Sequence, residues 1–472
     1  MPPPPTKHKY DKELSFIQKL GQQQETDHQQ LVIMQENALI KNIIKKYISE
    51  QNLLVYGGYA LNALLPKKER FYSEDELYDF DIMSPNAKDH AKGIADSLFD
   101  HGFIYTEVKP AVHDGTYKIF VNFQAVADVT QVSETFFYEM LKLSKKERSK
   151  HKYLKEDLPP IHIAPIFLLK LFIITELARP KSSLFRWEKV YTRLSSLYKH
   201  YGYGAPRSSQ HALKSVHDMA RPELFDIFQK TLEIIMVHKL PLVGNYAMGI
   251  YLGQNFKLPD TMLFECCKLD HYFSVFEVLA TDPDRTLKTI KHHLESFLPS
   301  AYRISTEVKD YTGDIMPRHH IVALEVPGVF KVNLLSVISA KEHCYATVEK
   351  HGVLMGTPYT ILHFLYGYWL LYYVYENRNV VALIHKLIKQ WEQYIYKDSP
   401  MEERFVSSCY GNEKSVVNVK REQFHNVSKR YIYKPSERSH TIFAAAKQLK
   451  PHRTMFSRKQ KQKRHKVRRS NT

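Results

Sequence analysis

Cysteine is scarce in this chain of 472 residues, which contains four: Cys266, Cys267, Cys344 and Cys409. No two of them form a Cys-x-x-Cys pair, and no spacing typical of a zinc site is present. The first residues form no targeting segment, because they are rich in proline and then polar. Few cysteines and no leader together predict a protein of a reducing compartment.

Formal charge is absent from the stretch His351 to Tyr375, which is long enough to span a bilayer. The stretch contains Gly356 and Pro358, however, and six tyrosines lie between Tyr359 and Tyr375. Each tyrosine hydroxyl would need a hydrogen-bond partner in lipid. We therefore expect a buried helix of a soluble domain and no membrane span.

Acidic residues are absent from the segment Arg438 to Thr472, which carries twelve of the 67 lysine and arginine residues. The rest of the chain holds 55 basic and 50 acidic residues, so it accounts for only +5 of the net charge of +17. Lys447 to Arg469 has no apolar periodicity and predicts a disordered tail that binds a polyanion. A solvated tail without an RNA function and a nuclear localisation signal are the alternatives.

The body of the chain can form cores, since 44% of its residues are hydrophobic and 12% are aromatic. Its length and its periodicity predict an α+β fold of several domains. We expect five regions: an N-terminal helical segment (1–50), a first mixed domain (51–140), a helical middle region (141–260), a second mixed domain with C-terminal helices (261–400) and a polar and basic tail (401–472).

The two mixed domains indicate an internal duplication. In both, a strand precedes a helix, and a strand, a turn and a further strand follow. Both also contain Thr-Glu-Val-Lys, at residues 106–109 and 306–309, although so short a match has little weight. The order of the elements is the better evidence, and a coincidence of two α+β folds is the alternative.

Three aspartates are the most informative feature of the first mixed domain. Asp79 and Asp81 lie two apart in a predicted strand and share a face, and Asp128 lies in another strand among apolar neighbours. Carboxylates that converge on adjacent strands are unfavourable unless cations fill the site. Two Mg²⁺ or Mn²⁺ ions would suit it, because they would support in-line nucleotidyl transfer from a triphosphate.

Gly57 and Gly58 separate a short strand from a helix, where backbone N–H groups can approach phosphate oxygens. Each part has an ordinary explanation alone, because Asp-x-Asp pairs are common, a glycine pair is usually a turn and a single aspartate can lie on an edge strand. The order of strand, glycine pair, helix, Asp-x-Asp strand and later aspartate strand is more specific, and it predicts a metal site.

This order resembles the nucleotidyltransferase superfamily of DNA polymerase β, in which a glycine turn, an Asp-x-Asp strand and a third acidic strand recur. The segments 55–62, 78–82 and 185–194 resemble, more narrowly, the poly(A) polymerase catalytic subunits of large nucleocytoplasmic DNA viruses, of the asfarvirus type. The resemblance covers residues 53 to 396. One departure is the separation between Gly58 and Asp79, which is longer than in many superfamily members.

The resemblance implies template-independent addition of AMP from ATP to the 3′ end of viral mRNA. It implies that residues 51–140 form a polymerase β-like catalytic lobe. Gly57 and Gly58 would position ATP there. Asp79, Asp81 and Asp128 would be the catalytic residues and would bind the two ions.

A second lobe of related but inactive fold is also implied, at residues 261–400. In this degenerate lobe Glu277 would match Asp81, Val275 would stand in place of Asp79, and Asn333 would be the counterpart of Asp128. Two of the three acids would then be missing. We therefore expect no catalytic metal there.

Partners and location follow from the same resemblance. It implies RNA and ATP as partners, and the host cytoplasm (the viral factory) as the location, with the virion as a second one. Two assemblies stay open, because poxvirus relatives work with a separate processivity subunit whereas some giant-virus relatives resemble self-sufficient homodimers. We expect the homodimer.

Basic residues and histidines supply further candidates. Lys189 and Arg193 lie four apart on a predicted helix, where they could clamp the triphosphate of ATP, the alternative being a solvated basic face. Lys170 and Arg186 are weaker candidates for the same role. The adjacent pairs at 292–293 and 319–320 predict surface histidines, because neighbouring residues point apart and chelate poorly.

Two other functions stay open. One is a nucleotidyltransferase with a different acceptor, such as a tRNA 3′ end or a small molecule, or one that makes a cyclic dinucleotide. The other is an inactive RNA-binding scaffold subunit built on the same fold, against which the intact set of three aspartates argues.

Overall fold

The computed structural model describes residues 11–73, 75–150, 153, 160–204, 222–252, 274–310, 316–327, 330–375 and 378–413. These residues belong to two compact units. The first is formed within the ranges up to Ser133 and from His151 to Ile163, and the second within Glu134–Lys150 and Ala164–Val419. Cys266, Cys267 and the predicted basic tail after residue 413 lie outside the described residues.

The first unit combines a long helix with a six-stranded sheet. Its elements are α1 (Asp11–Glu50), β1 (Leu54–Tyr56), α2 (Gly57–Ala63), β2 (Phe80–Ser84), α3 (Ala87–Asp100), β3 (Thr106–Pro110), β4 (Thr116–Val121), β5 (Gln124–Gln131) and β6 (His162–Ile163). The strand order is β3-β4-β5-β2-β1-β6. Strand β2 runs parallel to β5 and antiparallel to β1, which is parallel to β6.

Helix α3 shows why the sequence folds in this way. Its fully buried residues are Ala87, Ala91, Ile94, Ala95 and Leu98, which recur with the spacing of one helical face. On another face, Gly93 leaves space for the hydroxyl of Tyr47 from α1, where a Cβ would collide. The helix is therefore buried on two sides, and it fixes the sheet that carries the aspartates.

The second unit contains helices at its start, a second set of strands and further helices. Its elements are α4 (Glu134–Glu147), α5 (Ile166–Ala178), α6 (Pro180–Ser183), α7 (Trp187–Tyr201), α8 (Pro222–Val237), α9 (Asn245–Tyr251), β7 (Phe276–Ala280), α10 (Pro283–Glu295), β8 (Arg303–Lys309), β9 (His319–Val326), β10 (Phe330–Ser339), β11 (Tyr345–Lys350), β12 (Val353–Gly356), α11 (Pro358–Val374), α12 (Arg378–Lys397), α13 (Met401–Arg404) and β13 (Cys409–Tyr410). The strands form two sheets, in the orders β7-β10-β9-β8 and β12-β11-β13.

The second unit repeats the strand plan of the first, as the duplication hypothesis predicted. Leu242 bridges antiparallel to Val278 of β7 and parallel to Met355 of β12. The order β8-β9-β10-β7-Leu242-β12 therefore reproduces β3-β4-β5-β2-β1-β6, with the same strand directions. The repeat begins near Leu242, which lies before the predicted boundary at residue 261. We call the two sets of strands and their helices the first and second repeats.

The register corrects one predicted correspondence. Asp81 pairs with Asp128 between β2 and β5, and Glu277 pairs with Ser336 between β7 and β10. The predicted counterpart Asn333 lies three residues earlier, so the prediction was wrong. Pairing between distant strands sets this correspondence, and the β-bulges agree with it, because one falls two residues before the paired position in both β5 and β10.

The shared Thr-Glu-Val-Lys sequence does not occupy equivalent positions. Lys109 of β3 pairs with Lys118, and Glu307 of β8 pairs with Ile321, which takes the place of Lys118 in the second repeat. The two tetrapeptides are thus offset by two residues. The match arises by coincidence, whereas the order of the elements reflects the shared fold.

Helix α11 lies in the charge-free stretch His351 to Tyr375, which is long enough to span a bilayer. Its residues from Pro358 to Tyr372 are all buried in the second unit, and Tyr366 and Tyr368 donate their hydroxyls to Glu392 and Glu277. No helix in the described ranges is long and apolar enough to cross a membrane. The prediction of a buried helix is confirmed.

Histidines 319 and 320 are buried, and the prediction that they lie at the surface was wrong. Both faces of β9 are covered, because His319 contacts the ring of Tyr368 from α11 and His320 lies 3.8 Å from Asp284 of α10. Burial lowers the pKa of His319 to about 3. His292 and His293 are exposed, as predicted.

A disulfide joins Cys344 to Cys409, and it connects the residue before β11 with β13. Sequence reasoning did not predict this pairing, because the two cysteines lie 65 residues apart. Residues 401–413, predicted as part of a polar tail, belong to the folded second unit.

Candidate active site

The sheet of the first unit brings the predicted aspartates together. Asp81 of β2 lies directly opposite Asp128 of β5 in the parallel register, so their side chains leave the same face of the sheet. Asp79 lies just before β2, two residues from Asp81, and therefore on the same face. Strand periodicity thus places three carboxylates in one region of the first unit.

The environment of these aspartates disfavours their negative charges. Burial and, to a smaller extent, the neighbouring Asp128 raise the pKa of Asp81 to about 7, although a hydrogen bond from the Gly58 N–H opposes both effects. Burial also raises the pKa of Asp79, against the effect of Lys118. Negative charge in this region is therefore unfavourable unless a cation accompanies it.

Lys118 is a cation at this site that sequence reasoning missed. It lies on β4 opposite Asp128, and its Nζ is 2.7 and 2.8 Å from the two oxygens of that carboxylate. The same Nζ is 3.7 Å from Oδ2 of Asp79. A signal was present, because Lys118 is the one charged residue of β4.

The glycine pair makes room for the side chains around it. Gly57 has φ +65°, and a Cβ there would collide with the Asp81 carboxylate. A Cβ on Gly58 would collide with the hydroxyl of Tyr72, and the Gly58 N–H donates to Asp81 Oδ2 at 3.3 Å. This N–H therefore binds a carboxylate of the protein, in addition to any role toward phosphate.

An ordered loop explains the long separation between Gly58 and Asp79. Asn62 Oδ1 accepts hydrogen bonds from the backbone N–H groups of Phe71 and Tyr72, at 2.8 and 3.1 Å. Tyr72 stacks on Tyr78, which stacks in turn on Tyr59. The described residues of this loop thus fold back over the glycine pair.

The donor set suits a divalent cation in its chemistry but is not arranged around one. No three His, Cys, Asp or Glu side chains in the described ranges have the geometry of a metal site. The oxygens of Asp79 and Asp128 instead lie around the Lys118 ammonium, which takes the place of a metal ion. Carboxylate oxygens are the ligands that Mg²⁺ and Mn²⁺ prefer, so these residues fit such an ion.

Lys189 and Arg193 lie on α7 in the second unit. Together with Arg186, whose Nε is 3.0 Å from Glu176 Oε2, they lower the pKa of Glu176, which burial raises. Three cations thus share one carboxylate, so this surface carries excess positive charge. Contact of Lys189 and Arg193 with ATP stays a prediction.

Lys170 does not suit the role of a triphosphate ligand. Its side chain is buried in the second unit, and its Nζ donates to the carbonyls of Gly202 and Gly204 at 2.7 and 3.3 Å. The weaker prediction for Lys170 was therefore wrong. The hydrophobic helix α5 on which it lies hides it from solvent.

Comparisons with known proteins agree with the fold. Residues 42–155 match the family model "Poly(A) polymerase catalytic subunit". Proteins of African swine fever virus assigned as candidate poly(A) polymerase catalytic subunits are 23% identical over 340 residues in one isolate and 29% in another, and each alignment covers 69% of this chain and 64% of the relative. Residues 42–155, which include the three aspartates, therefore resemble the catalytic domain of this family.

A solved structure shows the same fold. The Megavirus polyadenylate synthase aligns with 93% of this chain and 89% of its own, with a TM-score of 0.64 and 17% sequence identity. The chain spans 64% of the length of the African swine fever virus relatives. A mimivirus protein with the same assignment is 26% identical over 170 residues, which cover 35% of this chain and 27% of that protein.

Proposed function

We propose that this chain is a nucleotidyltransferase that adds AMP from ATP to the 3′ end of RNA without a template. The observation that carries the proposal is the parallel pairing of Asp81 with Asp128, next to Asp79, inside the segment that matches the poly(A) polymerase family. Converging carboxylates can hold the two metal ions that in-line nucleotidyl transfer uses.

Asp79, Asp81 and Asp128 would hold two Mg²⁺ or Mn²⁺ ions in the working enzyme. When bound, such ions neutralise phosphate charge and lower the pKa of an attacking hydroxyl, so no strong general base is needed. The chain itself supplies rigidity, because Asp81 is fixed by the Gly58 N–H and by strand pairing on both sides of β2. We expect the triphosphate of ATP to lie near Gly57 and Gly58.

The remaining parts of the proposal concern binding. Lys189 and Arg193 would contribute positive charge toward the triphosphate, and the basic segment after Arg438 would retain RNA through phosphate contacts. We place the protein in the host cytoplasm, with the virion as a second location. A homodimer is the proposed assembly, and a separate processivity subunit is the alternative.

A primer-extension experiment tests the proposal. The full chain is incubated with an RNA primer, Mg²⁺ or Mn²⁺ and each labelled nucleoside triphosphate in turn. We expect long adenylate tracts with ATP and little extension with the other nucleotides. Addition of a short C/C/A sequence, products formed without RNA, or RNA binding without incorporation would each contradict the proposal.

A further inference from the structure

Lys118 lies between two of the three carboxylates of the acidic site. We propose that Lys118 is an internal counter-cation, which neutralises Asp79 and Asp128 in the metal-free protein and must leave Asp128 before a divalent cation binds there. This inference rests on the proposed function, because it assumes that the aspartates are metal ligands. It assigns to Lys118 a positioning role that sets the apparent affinity for metal.

The contacts of Lys118 support this role. Its Nζ lies within 2.8 Å of both Asp128 oxygens and 3.7 Å from Asp79, so one ammonium bridges two of the three carboxylates. The side chain is 27% exposed, and those of Asp128 and Asp79 are 20% and 45% exposed. Lys118 is therefore held at the edge of the site, partly exposed to solvent.

Charge explains why an internal cation is useful. Three ionised carboxylates in a partly buried region repel one another strongly, and the metal-free fold bears that cost whenever the ions are absent. A lysine on the neighbouring strand offsets part of the repulsion. An ammonium between the two Asp128 oxygens repels a metal ion that approaches them, so the lysine that stabilises the metal-free state also competes with the metal.

The second repeat supplies independent support. Ile321 lies opposite Ser336, as Lys118 lies opposite Asp128. Where the second repeat has lost the aspartates it has also lost the lysine, although it keeps the acid Glu277 at the Asp81 position. The lysine therefore accompanies Asp79 and Asp128 and not the acid that the two repeats share, as a counter-cation for those two residues would.

Mn²⁺ binding to the full chain, without nucleotide, tests the proposal. Free Mn²⁺ is counted by electron paramagnetic resonance for the wild type, Lys118→Met and Lys118→Arg. We expect Lys118→Met to bind Mn²⁺ at least about threefold more tightly, because a competing charge is removed. Lys118→Arg should stay close to the wild type, because it keeps the positive charge.

Lys109→Met is the matched control. Lys109 lies on β3 directly opposite Lys118, and its ion-pair partner is Glu107, so its removal changes the net charge equally without touching the aspartates. We expect Mn²⁺ affinity in this variant to be unchanged. An equal gain in both Met variants would show a general charge effect and would overturn the proposal.

The melting temperature is a second measurement, which still tests the proposal if Lys118→Met folds poorly. In EDTA we expect Lys118→Met to melt at a lower temperature than the wild type, and Mn²⁺ to raise its melting temperature by more. If the metal-free variant does not fold, added Mn²⁺ should restore folding. Failure of that rescue, or an Mn²⁺ affinity equal to or weaker than that of the wild type, overturns the role of Lys118.

Primer extension by the wild type separates this inference from the proposed function. If the wild type binds Mn²⁺ and extends primers while Lys118→Met gains no affinity, only the counter-cation role fails. If the wild type neither binds Mn²⁺ nor incorporates AMP, the proposed function fails and the role of Lys118 fails with it.

Discussion

The two repeats place different residues at the same four positions of one strand plan. The first repeat has Asp79, Asp81, Asp128 and Lys118 at these positions, and the second has Val275, Glu277, Ser336 and Ile321. Three of the four positions have changed from charged to uncharged residues, while one acid remains. The second repeat thus keeps the sheet but lacks three of the four charged residues.

The acid that remains shows which part of the motif is structural. Gly244 has φ +85°, and a Cβ there would collide with the Glu277 carboxylate, as a Cβ on Gly57 would collide with that of Asp81. Glu277 is buried and accepts a hydrogen bond from Tyr368 Oη at 2.8 Å. A glycine turn packed on an acid is therefore part of the fold in both repeats, whereas the proposed metal site also needs Asp79 and Asp128, which only the first repeat has.

Substitution of the two matched acids, Asp81 and Glu277, is the most direct test of the difference between the repeats. Asp81→Asn should lower AMP incorporation by about a thousandfold or more, because it removes a proposed metal ligand. Glu277→Gln should leave incorporation within about twofold. Primer extension measures both, and circular dichroism checks the fold. An active Asp81→Asn variant would assign the reaction to other residues.

The helices that follow the repeats are joined by a buried charge pair. Lys170 of α5 lies 4.0 Å from Glu392 of α12, which also accepts hydrogen bonds from Tyr198 of α7 and Tyr366 of α11. Lys170→Met should lower the free energy of unfolding by about 3–5 kcal/mol, because it leaves Glu392 buried without its cation. Urea unfolding measures this loss, and the exposed Lys199→Met is the control that should change little.

The buried acid of the second repeat predicts a pH dependence of stability. Burial raises the pKa of Glu277 from 4.5 to about 8. Between these values the folded state keeps a proton that the unfolded state has lost, so this group's contribution to stability is complete below pH 4.5 and is lost as the pH rises to 8.

Glu277→Gln should remove this dependence. Relative to the wild type, the variant should gain roughly 2–4 kcal/mol between pH 5 and pH 9, as measured by urea unfolding at each pH. The exposed Glu307→Gln should show no such gain. A parallel pH profile for Glu277→Gln and the wild type would mean that Glu277 is ionised in the fold without cost.

Sequence reasoning succeeded where the signal was local. Asp79, Asp81 and Asp128 were predicted to converge because a strand repeats every two residues and because apolar neighbours marked Asp128 as unusual. The register of β2 and β5 confirms that prediction. The fold class and the repeated order of strands were also predicted, because both follow from the succession of short periodic segments.

Contacts that depend on pairing between distant strands were missed. Lys118 meets Asp128 only through the β4–β5 register, and Ser336 replaces Asn333 as the counterpart of Asp128 because of the β7–β10 register. The burial of His319 depends on a helix that covers one face of β9. The spacing of neighbouring residues predicts none of these effects.

The smallest expected effect compares the two glycine turns. Gly244→Ala should lower the free energy of unfolding by about 1–3 kcal/mol, because it combines a positive φ with a collision against Glu277. Gly352→Ala is the matched control: its φ is +76°, but no atom would lie near the added Cβ, so only backbone strain remains. Gly57→Ala should destabilise the first repeat by a similar amount and should also reduce AMP incorporation, because it displaces Asp81. Equal losses for Gly244→Ala and Gly352→Ala would show that contact with the acid adds nothing, and would remove the structural reason for a glycine beside the retained acid in both repeats.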